Sequence, residues 1–129
     1  MKRQLPAMTE QVLRGNKESL ALEVKADLNT VFDIARHHCE RMDGSGYPDG
    51  LRGYEISFAA RLVGLADVLD TLLNHNLTSP KQSVEKAGRL IRKSGIALFG
   101  SDVIACFEQR QSDIYELYLN YRQRVESWA

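Results

Sequence analysis

At 129 residues, with seventeen lysines and arginines against seventeen aspartates and glutamates, the chain has the size of one domain with a core of modest extent. The opposite charges are interspersed, which disfavours a basic strip for nucleic acid or an anionic membrane surface. Two cysteines, Cys39 and Cys106, are too few for a disulfide framework, and the start MKRQLPAMTEQ has no apolar stretch of signal-peptide type, so a soluble protein of the reducing cytoplasm is expected.

Between Ser19 and Cys39 the positions Leu20, Val24, Leu28, Val31, Phe32 and Ala35 recur at three- and four-residue steps, which predicts a helix whose apolar stripe reaches positions 38 and 39. A glycine-rich segment follows, in which Tyr47-Pro48-Asp49-Gly50 suits a tight turn. Ser57 is placed to cap a helix of about Phe58 to Leu73, with Phe58, Leu62, Leu65, Leu69 and Leu72 on one face and Val63, Asp67 and Asp70 on another. The most apolar run, Ile56 to Leu73, carries Arg61, Asp67 and Asp70 and is no simple membrane span.

Ser79-Pro80-Lys81-Gln82 carries three helix-start signals: a serine cap, proline at the first helical position, and glutamine closing a capping box. That helix is expected to stop near Lys93, ahead of Gly95. Ser101 or Asp102 would cap a short helix through Phe107, and a last helix from about Asp113 would carry Ile114, Leu117, Tyr118, Tyr121 and Val125 inward. No strand pattern, internal repeat or domain-boundary linker competes, so the expectation is a single all-α domain over residues 1–129.

The chemistry-bearing patch is HHCERMDGSGYPDGLRG, residues 37–53. Imidazole, thiolate and carboxylate are metal-ligand types, and His38, Cys39 and Glu40 end one helix while Asp67 and Asp70 lie on the next long one. Adjacent histidines near a helix C-terminus also interact favourably with its dipole, and glycines commonly follow helix ends, so the patch alone is compatible with a plain turn. Elsewhere, Tyr115, Tyr118, Tyr121 and Trp128 suit packing on a final amphipathic helix, and Cys106 suits a small buried hydrophobe. His75 suits a solvated position near a helix end, and Arg61 an ion pair with a neighbouring helix rather than a phosphate cradle.

The pattern as a whole resembles the C-terminal half of the HD-GYP family, metal-dependent phosphodiesterases of bacterial cyclic di-GMP signalling. Members carry a segment like HHE, then DGSGYP, a G-L-x-G-x-x-I stretch, and an arginine and an alanine-aspartate pair on the next helix. This chain has HHCERMDGSGYPDGLRGYEISFAARLVGLADVLDTL, ungapped from His38 to about Leu72, with a weaker echo through Gly95, Phe99, Val103 and Phe107. The resemblance implies a helical bundle like the C-terminal part of the HD-domain phosphodiesterase fold. In the ungapped register the family's two metal-binding histidines fall on His38 and Cys39, its following glutamate on Glu40, and its later metal-binding aspartate on Asp67. A register with one insertion would put the pair at His37 and His38, but the apolar stripe leaves His37 off the inward face. His37, Glu40 and Asp70 would stand behind the ligands, while Gly46, Tyr47 and Pro48 would form a lip for substrate or a partner signalling domain.

The departures from the family are as specific as the match. Residues 1–36 contain no histidine, and their aspartates, Asp27 and Asp33, are not in an HD pair. The family's phosphate-clamping arginine would fall on Asn76. The resemblance therefore implies a partial or degenerate HD-GYP-like domain, inactive as an isolated chain and with no catalytic residue assigned; the alternative is a non-catalytic adaptor acting through the GYP lip and self-association. Its metal would be iron or manganese by family, or zinc with Cys39 as ligand, or none at all. Its partners would be a second copy, a missing HD half or a signalling domain, with no nucleic acid and no membrane.

Overall fold

The computed structural model describes residues 2–18, 27–74 and 79–127. It is all-α: among the described residues there is no strand, only an isolated antiparallel bridge between Asp43 and Arg52. The chain forms two compact units, Met1–Leu65 and Ala66–Ala129.

In the first unit, α1 (Leu5–Gly15) carries Pro6 in its opening turn, where a missing N–H costs nothing. It packs along α2 (Leu28–His37), with the Arg14 guanidinium 4.4 Å over the Phe32 ring and Glu10 accepting from Arg36 at 3.0 Å. The expectation of one helix running from Ser19 is corrected at Asp27. That residue is extended, and its carboxylate caps α2 by accepting from the Asn29 N–H at 3.1 Å and the Thr30 hydroxyl at 2.9 Å. The stripe positions Leu20 and Val24 lie outside the described residues. The helix also ends sooner than the stripe implied: His38 is its C-cap and Cys39 lies beyond it.

The following loop closes on a buried carboxylate. Glu40 is 1% exposed and accepts the Asp49 N–H at 2.6 Å and the Leu51 N–H at 3.1 Å. Gly46 presses its Cα against the Cys39–Arg41 backbone, where a Cβ would come within 2.5 Å of the Cys39 carbonyl oxygen and the Arg41 nitrogen. Ser57 caps α3 (Phe58–Asn74), accepting the Ala60 N–H at 3.1 Å, while its hydroxyl donates to Asp33 of α2.

The expected face of α3 holds at Leu65 and Leu69, which are buried, and fails in the first turns. Ala60, Arg61, Gly64 and Leu65 are buried, whereas Phe58 and Leu62 are 42% and 39% exposed. Helix packing here turns on close approach: a Cβ on Gly64 would sit 2.6 Å from the His38 carbonyl oxygen, so glycine lets α3 lie directly on the end of α2. Arg61 follows Gly64 inward, donates to the Ile56 carbonyl at 3.1 Å, and places its guanidinium 5.2 Å from the Tyr54 ring centroid.

In the second unit, α4 (Pro80–Phe99) begins at the expected capping box, with the Ser79 and Gln82 side chains each accepting the other's N–H at 3.3 Å. It does not stop before Gly95. That glycine is buried against Ile104, whose Cδ1 would lie 2.8 Å from an added Cβ, and the break comes at Gly100, with φ +92°. A single helix, α5 (Ser101–Ser127), replaces the two expected after it. Residues 108–112 contain no glycine or proline to interrupt a helix, and Arg110 pairs with Asp113 one turn on.

The α4–α5 core gathers Ala87, Ile91, Phe99, Val103, Ile104 and Phe107. Tyr115 meets the Phe107 ring edge-on at 6.1 Å, and the buried Tyr118 donates to the Leu73 carbonyl at 2.6 Å. Tyr121 is exposed, as is Cys106, which corrects its assignment as a buried hydrophobe. Cys106 falls on the solvent side of α5 between the inward Val103 and Phe107. His75, Asn76 and Trp128 lie outside the described residues. No described helix is long and apolar enough to cross a membrane.

Candidate metal centre

The end of α2 fixes His38 through several bonds. Its main-chain N–H and its ring Nδ1–H both donate to the Ile34 carbonyl, at 3.0 and 2.9 Å. A carbonyl can only accept, so Nδ1 carries a proton, and in the neutral ring the lone pair is on Nε2. The His38 carbonyl in turn accepts from Arg41 Nη1 at 3.1 Å. Tying one ring nitrogen to a backbone oxygen is the usual way a protein orients an imidazole for a metal on the other.

Cys39 follows immediately. Its carbonyl accepts the Tyr47 N–H at 3.4 Å, and Gly46 packs on the same peptide. Because the helix has ended, these neighbours escape the roughly 100° separation of consecutive helical side chains. His38 and Cys39, both half-buried, line one pocket of about 260 Å³ with Tyr47 and with Leu5, Pro6 and Thr9 of α1.

His37 is engaged elsewhere. Its Nδ1 and Nε2 each donate at 2.9 Å, to Asp33 and Asp49. Burial pulls its pKa down, but hydrogen bonds donated to the two carboxylates outweigh this and leave it above the ordinary histidine value. Asp49 is also gripped bidentately by Arg36, at 2.8 and 2.9 Å. That guanidinium, against a penalty from burial and with help from His37, holds Asp49 at about 2. The clasp Glu10–Arg36–Asp49 joins α1, α2 and the loop. Sequence reasoning missed it; the only local signal was the Glu10–Arg14 spacing of four residues, an ion pair of 2.8 Å.

Of the remaining candidates, both oxygens of Glu40 serve the loop, and this shapes the lip carrying Gly46, Tyr47 and Pro48. Asp67 and Asp70 lie in the later part of α3, both exposed. Asp70 accepts from the Asn74 amide at 2.7 Å.

Among the family comparisons, the model described as "HD domain" matches residues 3–103, from α1 into the first turn of α5. The chain belongs to the HD-domain family. Phosphodiesterases of this family work with divalent metal, and the free Nε2 of His38 beside the Cys39 thiol is a donor set of the right kind. This HD-domain chain is 38% identical over 104 residues to a probable cyclic di-GMP phosphodiesterase of Vibrio cholerae, covering 78% of the chain and 24% of that protein. It is 33% identical over 86 residues to a cyclic di-GMP phosphodiesterase of Thermotoga maritima, covering 67% of the chain and 23% of the relative. A cyclic di-GMP phosphodiesterase response regulator of Xanthomonas campestris shares 61% identity over 41 residues, 32% of the chain and 11% of the relative. The chain thus spans about a quarter or less of the lengths of these relatives. No solved structure matches it.

Proposed function

We propose that this HD-domain chain is the GYP-bearing, metal-holding part of a cyclic di-GMP phosphodiesterase, that His38, Cys39 and Asp67 are its ligands, and that alone it binds a divalent ion without turnover. The observation that carries the reading is the Nδ1–H bond from His38 to the Ile34 carbonyl, which leaves Nε2 ready as a donor. Asp67 enters because α3 is continuous from Phe58 to Asn74. It follows Gly64, the residue seated on the His38 carbonyl, by three positions, and i and i+3 share a helix face.

In phosphodiester cleavage a bound metal polarises the phosphoryl oxygen and lowers the pKa of the attacking water. This chain's part is to hold that ion with two groups of fixed geometry and one carboxylate. Three donors are too few for a two-metal centre with several protein ligands per ion, and residues 1–36 offer no HD pair to extend the set. Loss of transition-state groups costs orders of magnitude in rate, so hydrolysis requires donors from outside this sequence.

The test is metal content and cyclic di-GMP hydrolysis of tag-free protein. One equivalent of metal that falls away in His38→Ala and Asp67→Ala, with no turnover, supports the proposal. Turnover by the chain alone overturns the claim of inactivity, and a wild type that takes up no metal overturns the ligand assignment.

A second reading, an adaptor working through the lip, draws on Tyr54, 73% exposed, beside Phe58 and Leu62. An exposed aromatic cluster next to a braced loop suits a signalling-domain partner or a second copy of the chain. Sedimentation of wild type and Tyr54→Ser distinguishes a homo-oligomer, which the substitution would weaken, from a monomer.

A further inference from the structure

We infer that Cys39 sets the ion preference of this centre, making it a site for thiophilic ions such as zinc rather than for the oxygen-seeking manganese or magnesium. The inference rests on the reading of His38 and Cys39 as ligands and names the ion they select.

The argument starts from the donors. An imidazole with its Nδ1 proton committed to Ile34 offers one borderline nitrogen, and the adjacent thiol offers one soft sulfur. Thiolate and imidazole together suit zinc, whereas manganese and magnesium favour carboxylates, carbonyls and water. The Asp67 carboxylate is the one hard donor of the proposed set, a type that zinc accepts beside nitrogen and sulfur, and the pocket wall facing the pair adds no second one. Leu5 and Pro6 of α1 are apolar, and Thr9 has its hydroxyl donated to the Leu5 carbonyl at 2.8 Å. The nearest acidic group in sequence, Glu40, has both oxygens taken by loop N–H groups.

The backbone under the sulfur is also set before any ion arrives. The Cys39 carbonyl is held by the Tyr47 N–H, the Glu40 N–H donates to the His37 carbonyl at 3.0 Å, and Gly46 is packed on the same peptide. A fixed His–Cys pair discriminates between ions by donor softness, because neither group has to be recruited from a flexible loop.

The test uses tag-free Cys106→Ser protein, so that Cys39 is the one thiol left; Cys106 is exposed and its replacement leaves the core untouched. Cobalt(II) is titrated in as a spectroscopic stand-in for zinc. The expected result is a near-ultraviolet thiolate-to-cobalt charge-transfer band that zinc abolishes and manganese, at about a hundredfold excess, leaves in place. In the same background Cys39→Asp should keep native helicity by circular dichroism and still bind metal. It should lose the band and lower the zinc-over-manganese preference by about tenfold or more.

Cobalt binding without the band, or an unchanged preference in Cys39→Asp, overturns the inference and leaves the ligand role of His38 standing. Failure of cobalt, zinc and manganese all to bind overturns the ligand assignment itself.

Discussion

Replacing Glu40 separates a carboxylate that supports the loop from one that merely lies near it. The side chain is buried and takes two N–H groups, from Asp49 at 2.6 Å and Leu51 at 3.1 Å. Hydrogen bonds to a charged acceptor contribute about 1.5–3 kcal/mol each. Asp49 sits at the solvent edge, so water can partly replace the carboxylate on that donor. Glu40→Ala should then cost about 3 kcal/mol, and Glu40→Gln, which keeps one acceptor oxygen of the same reach, about half as much. Urea unfolding followed by circular dichroism measures both, with the m-value checked for constancy. Because the loop also fixes the Tyr47 N–H on Cys39, Glu40→Ala should raise the rate at which a thiol reagent modifies Cys39 in a Cys106→Ser background. Losses below about 0.5 kcal/mol in both variants, with unchanged thiol reactivity, would refute the assignment of Glu40 as the loop's anchor.

Two glycines that would each be crowded by a methyl group should respond differently. Gly46→Ala meets backbone atoms of Cys39 and Arg41 at 2.5 Å, which cannot move independently, and should lower stability by more than about 3 kcal/mol or abolish soluble expression. Gly95→Ala meets the far end of Ile104 at 2.8 Å, so it should cost about 1–2 kcal/mol and be partly relieved by Ile104→Val, as thermal melts of the three variants would report. Asp49, held at about 2 against the ordinary 3.8, contributes stability that is complete above pH 3.8 and is lost as pH falls through 2. After solvent screening at this one-third-exposed carboxylate, that contribution is about 1 kcal/mol. Urea midpoints at pH 5 and pH 2 should therefore fall further for wild type than for Asp49→Asn, and parallel losses would contradict the clasp.

Features set by neighbouring residues were legible in the sequence. The Ser79–Gln82 box and the Ser57 cap depend on side chains three residues from the groups they satisfy, so their spacing alone announces them. Glycine was the residue most easily misjudged. Gly95 looked like a helix stop, but it is, like Gly64, a place where one segment of backbone lies against another element, which depends on tertiary packing. The same blindness misplaced the first turns of α3: leucines outrank arginine on any hydropathy scale, yet Leu62 is exposed while Arg61 is buried, satisfying the Ile56 carbonyl and lying under Tyr54. Helix α1 carried an i, i+4 ion pair but no motif, so its role as a wall of the His38–Cys39 pocket could not be read from residues 1–18. At the site, the residue types in residues 37–53 pointed to metal chemistry. The tautomer of His38 and the engagement of His37 needed the fold, because they depend on which oxygen each ring nitrogen meets.

The most direct measurement of the central claim is isothermal titration of tag-free, metal-stripped protein with zinc, run beside His38→Ala. The account predicts one site per chain in the wild type, with affinity falling by about two orders of magnitude or more when the imidazole is removed. Equal binding by both proteins, or no heat from the wild type, would contradict it.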